Sequence, residues 1–487
     1  MGLFMENICS FIKNDYSKLP VRVLQFGQGN FLRAFADWII DKANANGLFN
    51  GSIVIAKSTS RGSLDNFVNQ NYNYTVACRG RDANGVVEDY NIVSSVKSIY
   101  TCTQQWQELV EVAVSNSLSV IISNTTEAGI CFNDKDGLNN LSSVTYPGKL
   151  TALLFERFKS GNANKLLVLP VELIEDNGTT LKNCILKYID LWSLGNGFAD
   201  YVNSSCCFAN TLVDRIVTGF PDDNNEICAK LGYSDDLTVA CEPYFSWIIQ
   251  CGEVFKPLFP MDKIHGGIKW VSDIKPYRER KVKILNGAHT VSVLSAYLAG
   301  FDIVRDMMHD ETYFKFINSV LQNEIMKTIN LPQDELMQFA SSVFERFDNP
   351  FIDHKLLDIS LNSVSKFAAR CLPSLIEYYN KFNVAPKLLC FGFASLIKFY
   401  CGNYENGEFY GKREQGKYVI KDNSNVLNYF QNAYKTDDVV KVILENEDFW
   451  GVNLAQNIDI YSCVKHCFDL IEKNSMQNAL ELVLDNE

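Results

Sequence analysis

The chain has 487 residues, of which 47% are hydrophobic and 21% charged, a composition typical of a globular protein with a large core. Its formal net charge is −12 and it contains no long basic run, which excludes nucleic acids and anionic membranes as expected partners. The length allows one to three domains, and two is the expected number.

The N-terminus carries no recognisable targeting signal. It lacks the basic start and apolar run of a signal peptide, and Glu6 stands where a myristoylation motif needs Ser or Thr. No stretch of about 18 apolar residues is present to span a bilayer. The fifteen cysteines include no C-x-x-C pair, and the nearest approach to a metal cluster, CVKHC at 463–467, lacks a second ligand pair. We therefore expect a cytoplasmic protein with free, mostly buried thiols and no metal.

The first half of the chain alternates between two patterns. Short apolar runs, each followed by a polar turn, lie at 21–26, 52–57, 118–124 and 165–172. Stretches with helical periodicity lie between them, at 30–47 and 146–161 among others. Strands that alternate with helices predict a parallel sheet with helical crossovers.

After about residue 272 the strand signal fades and long helical patterns follow one another. Pro276 interrupts the pattern near the change. The predicted fold class is therefore α/β plus all-α, with a Rossmann-like doubly wound sheet domain over 1–272 and a mainly helical domain over 273–487. The cleft between two such domains is the expected ligand site.

A glycine turn follows the first strand of the predicted sheet. Gly27 and Gly29 in LQFGQGNFLRAF stand between strand and helix, where glycine allows a tight turn and close approach of the backbone to a pyrophosphate. Leu32 replaces the third glycine of the dinucleotide fingerprint, so a plain strand–helix turn remains the alternative. After the second strand, Lys57 and Arg61 stand where an NAD site usually has an acidic residue. They would suit the 2′-phosphate of NADP, or they are solvated side chains.

The stretch RKVKILNGAHT, 280–290, places polar residues on an apolar helix face. At 100° per residue, Asn286 and His289 fall in the middle of the face formed by Val282, Leu285 and Val293. A buried polar group without a partner costs about 1–3 kcal/mol. Either the core supplies partners for these two side chains, or this face lines a functional site.

Five motifs in order resemble the long-chain polyol dehydrogenase family that includes mannitol dehydrogenase, and the resemblance covers nearly the whole chain. The motifs are VLQFGQGNFLRAFADWIID (23–41), SNTTEAGI (123–130), TLVDRIVTGFP (211–221), DIKPYRERKVKILNGAHT (273–290) and ERFDNPFIDHKLLDISLNSVSKF (345–367). The resemblance implies metal-free, NAD-dependent hydride transfer at a secondary alcohol or ketone. The residues expected at the NAD cofactor are Phe26, Gly27, Gly29, Asn30, Phe31 and Thr126.

The family's active-site pattern of Lys, four residues, Asn, two residues and His falls on Lys281, Asn286 and His289. In this interpretation Lys281 gives a proton to the ketone oxygen, or takes it back from the alcohol. Asn286 stabilises the charge that develops on that oxygen. His289 contacts a substrate hydroxyl or carboxylate. The pattern gives Lys283 no role, and we expect it to be a solvated residue at the rim of the site.

Two further substrate contacts are implied by the last motif, Arg346 and His354. The SNTTEAGI, PVELIEDNG and ERKVKILNGAHT segments favour a branch of the family that acts on keto-uronates, and an arginine is a natural partner for a uronate carboxylate. Lys355 competes for that role. Alternatively, Arg346 forms a salt bridge with Asp348 or Glu345.

The sequence departs from mannitol dehydrogenases at one catalytic position. Leu173 stands where they have a further asparagine, so either Asn177 contacts the substrate instead, or the oxyanion site is built differently, with Glu172 as another candidate. The expected activity is NADH-dependent reduction of a small keto-uronate. The alternatives are reduction of a different keto-uronate, a mannitol-type polyol dehydrogenase, or a dinucleotide-binding sensor without turnover.

Overall fold

The structure is a computed structural model that describes residues 5–58, 62–125, 128–141 and 144–485. The chain forms two compact units. The first runs to Gly80 and continues from Val86 to Ile274, and the second comprises Arg81–Gly85 and Lys275–Glu487.

The first unit is built on a six-stranded parallel sheet. Its strand order is β6-β3-β2-β7-β8-β9, and the four runs predicted as strands are its central members β3, β2, β7 and β8. The strands of this unit are β1 (Glu6–Asn7), β2 (Val21–Phe26), β3 (Ser52–Lys57), β4 (Tyr74–Asp82), β5 (Gly85–Val93), β6 (Val96–Thr101), β7 (Val120–Ser123), β8 (Leu166–Pro170), β9 (Cys206–Phe208), β10 (Asn210–Asp214), β11 (Val217–Gly219), β12 (Tyr233–Ser234), β13 (Val239–Cys241), β14 (Ser246–Gln250) and β15 (Ile268–Val271). The predicted Rossmann-like sheet is confirmed.

Helices cover both faces of this sheet, because successive residues of a strand point to opposite sides. On β2, Val23 packs in one core cluster with Phe35 of the first helical segment, whereas Leu24 packs in the other with Leu150. The helices are α1 (Asn30–Leu32), α2 (Trp38–Ala45), α3 (Asp65–Asn69), α4 (Trp106–Val114), α5 (Tyr146–Lys159), α6 (Asn177–Leu191), α7 (Asn196–Ser205) and α8 (Asn224–Leu231), with 3-10 turns at Ile8–Phe11, Tyr16–Lys18, Glu253–Leu258 and Met261–Lys263.

Smaller sheets complete the first unit, in the orders β10-β14-β15, β11-β13-β4-β5 and β1-β12. The sequence did not predict them, because most of these strands are five residues or fewer and two of the sheets mix parallel with antiparallel pairs.

The second unit is mainly helical, as predicted. Its central helices, α10 and α17, pack against each other and are buried along most of their length. The helices are α9 (Lys275–Arg280), α10 (Gly287–Ala299), α11 (Val304–His309), α12 (Glu311–Ser319), α13 (Gln333–Phe347), α14 (Leu356–Ile359), α15 (Ser363–Arg370), α16 (Leu372–Phe382), α17 (Lys387–Phe399), α18 (Ser424–Ala433), α19 (Val439–Leu444), α20 (Glu447–Trp450), α21 (Ile458–Lys473) and α22 (Met476–Leu484), with 3-10 turns at Met326–Thr328 and Leu454–Gln456. A small antiparallel sheet of β16 (Gly402–Glu405), β17 (Glu408–Arg413) and β18 (Gly416–Val419) was not predicted.

In the described part of the chain, three helical stretches contain a π-helical turn, at Arg33–Asp37, Lys281–Asn286 and Val320–Ile325. A π turn bonds residue i to residue i+5, and such turns occur often at functional sites. The second of them coincides with the predicted catalytic motif.

Within the described ranges, no helix is both long enough and apolar enough to cross a membrane. Over the same ranges, no cluster of three or more His, Cys, Asp or Glu side chains is arranged to hold a metal ion.

Candidate active site

The predicted glycine turn joins β2 to α1. Gly27 has a φ of +116°, a conformation that side chains rarely adopt, and a Cβ atom there would lie 2.9 Å from the backbone oxygen of Asn124. The Gly27 amide donates a hydrogen bond to the Ala56 carbonyl at 3.3 Å. Glycine is therefore required at position 27 by the turn itself.

Gly29 differs from Gly27, because its φ of −68° suits any residue and a Cβ atom there would meet nothing within 4 Å. It caps the N-terminus of α1, where the first backbone N–H groups have no partner within the helix and favour an anion. The open space above Gly29 belongs to a cavity of about 520 Å³. The cavity is lined by Gly27, Gln28, Gly29, Lys57, Ser58, Asn124, Thr125, Ala128, Gly129, Cys131, Val144, Thr145, Tyr146 and Lys149. An open, glycine-edged helix N-terminus fits the pyrophosphate of a dinucleotide.

Two buried lysines line this cavity. Lys57 ends β3 and is 4% exposed, so the alternative that it is a solvated side chain is wrong. Lys149 of α5, also buried, donates to the Ser58 carbonyl at 3.4 Å, and burial lowers the pKa of this lysine. Arg61, the other basic residue of the prediction, lies outside the described residues. Sequence patterns did not point to Lys149, because a single lysine within an amphipathic helix carries no signal of its own.

Three further predicted cofactor residues, Phe26, Asn30 and Phe31, are not among the described residues that line the cavity. The Phe26 side chain is fully buried and packs on Tyr146 with ring centroids 4.8 Å apart, and Phe31 stacks on Phe35 at 4.8 Å. The Asn30 Oδ1 atom accepts a hydrogen bond from the Arg33 guanidinium at 2.5 Å. Phe26, Asn30 and Phe31 therefore shape the turn and its helix. Thr126 lies outside the described residues.

Asn177 is buried and fully engaged by the backbone. Its amide nitrogen donates to the carbonyls of Pro170 and Glu172 at 3.0 Å, and its Oδ1 atom accepts from the amides of Gly178 and Thr211 at 2.9 Å. These contacts use its whole hydrogen-bonding capacity. The geometry thus does not support the prediction that Asn177 contacts substrate, and gives it the task of joining β8, α6 and β10.

Glu172 has a similar supporting task. Its carboxylate is buried and accepts hydrogen bonds from the Ser123 hydroxyl at 3.1 Å and from the Thr125 amide at 2.9 Å. It thereby holds the segment after β7 that supplies Asn124 and Thr125 to the cavity. Leu173, which follows it, has 67% of its surface exposed.

In the second unit, the π-helical turn aligns the three predicted catalytic residues. In a regular α-helix, residues i and i+5 are about 140° apart. In the π turn, five residues instead of four complete one turn of the helix, so residues i and i+5 lie one above the other. Lys281 and Asn286 have this spacing. His289 follows Asn286 by three residues, one further turn of α10. Lys281, Asn286 and His289, all half-buried, therefore lie on successive turns of one helix face.

Lys283, in the same π turn, does not lie at the solvated rim of the site where it was predicted. Instead of a solvated rim residue, Lys283 is 7% exposed. Its ammonium donates to the Thr328 carbonyl at 3.0 Å and to the Glu377 carboxylate at 2.9 Å. The prediction assumed regular 100° steps, which the π turn interrupts. Lys283 is a structural residue that ties the π turn to neighbouring segments.

His289 lies among aromatic and cationic side chains. Its ring stacks on Phe347 at 4.0 Å and meets the edge of His354 at 5.4 Å. Its Nε2 atom is buried and has no hydrogen-bond partner among the described residues. Burial, followed by the positive charges of His354, Arg346, Arg370 and Lys366, lowers the pKa of His289 well below its ordinary range. The imidazole is therefore neutral near pH 7, and Nε2 is available to a substrate hydroxyl.

The structure brings His354 and Arg346 close to His289, and their contact with the substrate stays a prediction. Burial lowers the pKa of His354 as well, and Arg346 is 8% exposed. Lys355, the competing candidate, is exposed and pairs its backbone with Ile303. The sequence interpretation missed Arg370 and Lys366, although Lys366 lies within the last quoted motif.

Known proteins match the chain over almost its whole length. The family model described as the mannitol dehydrogenase Rossmann domain matches residues 21–261, and that of the mannitol dehydrogenase C-terminal domain matches residues 273–472. Altronate oxidoreductase from Bacteroides thetaiotaomicron is 38% identical, over 96% of this chain and 97% of that protein. Altronate oxidoreductase from Bacillus subtilis is 35% identical, over 98% of each.

Two solved structures share the fold. Mannitol 2-dehydrogenase from Pseudomonas fluorescens, in a ternary complex with NAD and D-mannitol, has a TM-score of 0.68 at 18% identity and covers 99% of this chain and 100% of its own. A D-sorbitol dehydrogenase in substrate-free form has a TM-score of 0.80 at 18% identity, over 96% of each chain. The fold class predicted from the sequence is confirmed.

Proposed function

The chain belongs to the mannitol dehydrogenase family, and from this premise we propose that it is an NAD-dependent oxidoreductase that interconverts D-tagaturonate and D-altronate. The family predicted from the motifs is thereby confirmed. The substrate is proposed from relatives named altronate oxidoreductase that are 35–38% identical over nearly the full length. The observation that carries the proposal is the alignment of Lys281, Asn286 and His289 on one helix face, surrounded by cationic side chains.

The first unit supplies the cofactor site. Gly27 shapes the turn, Gly29 leaves room above the N-terminus of α1, and the N–H groups there would hold the pyrophosphate of the cofactor. When bound, NADH supplies the hydride. The buried Lys57 and Lys149 offer two cations to the same cavity.

The second unit supplies the proton and the charge stabilisation. As the ketone is reduced, negative charge develops on its oxygen, and the Lys281 ammonium donates a proton to that oxygen. The Asn286 amide donates a hydrogen bond to the same oxygen, an interaction whose loss typically costs about 10²–10³ in rate. His289, held neutral, orients the substrate by accepting a hydrogen bond from a hydroxyl. In the direction of oxidation the neutral Lys281 amine takes the proton back.

We place this activity in the cytoplasm. The fifteen cysteines of the chain are all free, which suits a compartment that keeps thiols reduced.

The test is the consumption of NADH by purified enzyme, followed by absorbance, with D-tagaturonate, D-fructuronate and D-fructose as substrates. We expect kcat/KM to be highest for D-tagaturonate, and higher with NADH than with NADPH. A preference for D-fructuronate or D-fructose would assign the chain to another activity of the family, and binding of NADH without turnover of any substrate would favour a sensor. A preference for NADPH would mean that Lys57 contacts a 2′-phosphate.

A further inference from the structure

Helix α15 carries two cations that no acidic side chain in the described ranges neutralises by contact. Lys366 and Arg370 are four residues apart and so lie on the same face of the helix, and both are half-buried. Neither is within ion-pair distance of a carboxylate among the described residues. Lys366 donates to the Ile359 carbonyl at 2.8 Å, and Arg370 donates to the Thr290 hydroxyl at 3.3 Å.

This arrangement is unfavourable for folding. Like charges at positions i and i+4 of a helix repel each other, and burial removes the water that would screen them. Burial, and then the neighbouring Arg370, lowers the pKa of Lys366, and Asp422 opposes that shift only weakly. The position of Arg370 at the C-terminus of α15 gains a little from the helix dipole, but Lys366 lies half a helix away from that end. Stability therefore does not explain the pair.

The pair lies next to the candidate catalytic residues. Helix α15 packs against α10 and against the π turn that begins with Lys281. Thr290, which accepts the hydrogen bond from Arg370, directly follows His289 in the chain. An anion held by Arg370 would therefore lie beside the face that carries Asn286 and His289.

We propose that Arg370, supported by the charge of Lys366, binds the carboxylate of the sugar-acid substrate and makes the enzyme selective for acids over neutral sugars. This inference rests on the proposed function for the identity of the substrate. The planar guanidinium of Arg370 can bind a carboxylate with two parallel hydrogen bonds. A bound carboxylate would compensate the two unpaired charges, and the energetic cost of burying them would be recovered only when the acid is present.

The experiment compares D-tagaturonate with D-tagatose, which carries a neutral CH2OH group in place of the carboxylate. In Arg370→Gln we expect kcat/KM for D-tagaturonate to fall by roughly 10- to 100-fold, the usual range for a lost charge-assisted hydrogen bond, and kcat/KM for D-tagatose to change by less than about threefold. Lys366→Gln should show the same selectivity with a smaller loss. Arg370→Lys should recover part of the preference for the acid.

Two variants separate binding of the acid from support of the fold. Thr290→Val removes the hydrogen bond to Arg370 but keeps both charges, so it should keep the preference for the acid. Lys465→Gln removes a cation of α21 that is paired with Asp469 at 2.9 Å, and it should leave both substrates unaffected. An equal loss for both substrates in Arg370→Gln, or an unchanged preference for the acid, would overturn the inference.

A binding measurement keeps this test independent of the proposed reaction. Calorimetric titration of the wild-type enzyme with NADH present should show tighter binding of D-altronate than of D-altritol, and Arg370→Gln should abolish the difference. If the wild type binds the acid selectively but does not turn over D-tagaturonate, the proposed function fails and the carboxylate site stands. If Arg370→Gln instead weakens NADH binding, measured by fluorescence, the anion held by this pair is the cofactor pyrophosphate and the inference fails.

Discussion

The two lysines of the π turn should respond to substitution in opposite ways. Lys283 is a buried structural residue, whereas Lys281 is the proposed proton donor. Replacing Lys283 by Met keeps the apolar stem and removes the ammonium, with its bonds to Thr328 and Glu377. A hydrogen bond from a charged group is worth about 1.5–3 kcal/mol. The pair with Glu377, whose side chain is 53% exposed, adds up to about 1 kcal/mol.

Lys283→Met should therefore lower the free energy of unfolding of the second unit by about 2–3 kcal/mol. Lys283→Ala also removes three buried methylene groups, worth about 0.8 kcal/mol each, and should cost about 2 kcal/mol more. For a unit of this size, Tm falls by about 2–4 °C per kcal/mol, so Lys283→Met should unfold about 5–10 °C below the wild type. Turnover at 25 °C should change little in Lys283→Met, because the ammonium of Lys283 takes no part in the reaction.

Lys281→Ala should do the reverse. Its Tm should stay within about 2 °C of the wild type, since surface and half-exposed changes are usually small, while kcat falls by about 10²–10⁴. Circular dichroism gives Tm, and the absorbance of NADH gives kcat. If Lys283→Met loses turnover at an unchanged Tm while Lys281→Ala remains active, the catalytic lysine has been assigned to the wrong position and the role given to the π turn is wrong.

Three further predictions concern the cofactor, the pH dependence of stability and the proton donor. Gly29→Val fills only open space, so NADH binding measured by fluorescence should be lost while Tm stays unchanged. Gly27→Ala should lower Tm, because its Cβ atom would lie against the Asn124 oxygen. If Gly29→Val still binds NADH, the cofactor does not bind at this turn. Burial, with the charges of Arg215 and Lys42, lowers the pKa of His265 from 6.5 to about 4. As the pH is lowered through this range, the unfolded chain takes up the proton before the folded protein does, so the free energy of unfolding should decrease. Urea unfolding should show a smaller decrease in His265→Gln than in the wild type, and equal decreases would contradict this role of His265. Added small amines should restore part of the rate of altronate oxidation in Lys281→Ala, because a free amine can take the proton at the vacated position.

The sequence predicted the parts of the fold that follow simple periodicities. The runs that form β2, β3, β7 and β8 are short, apolar and followed by polar turns, so their place in a parallel sheet was evident. The strands of the smaller sheets are stabilised by partners far away in the chain, such as β4 with β13, which no local pattern reveals.

The sequence identifies the candidate site residues through their motif, but it does not give the surroundings of their side chains. The spacing of Lys281, Asn286 and His289 identified the motif, but a helical wheel could not foresee a π turn, and so it placed Lys283 in solvent. Asn177 was a candidate substrate contact because it lies four residues after Leu173, which stands where mannitol dehydrogenases have an asparagine. Only the structure shows that backbone groups occupy its amide. Arg370 gave no signal, because a cation near a helix C-terminus is ordinary, and only the structure shows that no carboxylate of the described part of the chain pairs with it.

A π turn forms when one residue is inserted into an established helix. The segment 281–286 can therefore be regarded as a regular helical segment with one additional residue. Removing Val282 would let the stretch from α9 to α10 close as one regular helix, with all its backbone hydrogen bonds kept. Lys281 would then stand four residues before Asn286, about 40° away on a regular helix, and would stay on the face of Asn286 and His289. With Val282 present and a regular helix throughout, Lys281 would instead be about 140° from Asn286. The π turn thus absorbs one additional residue, and it keeps the side chains before and after it in the register that a shorter, regular helix would have.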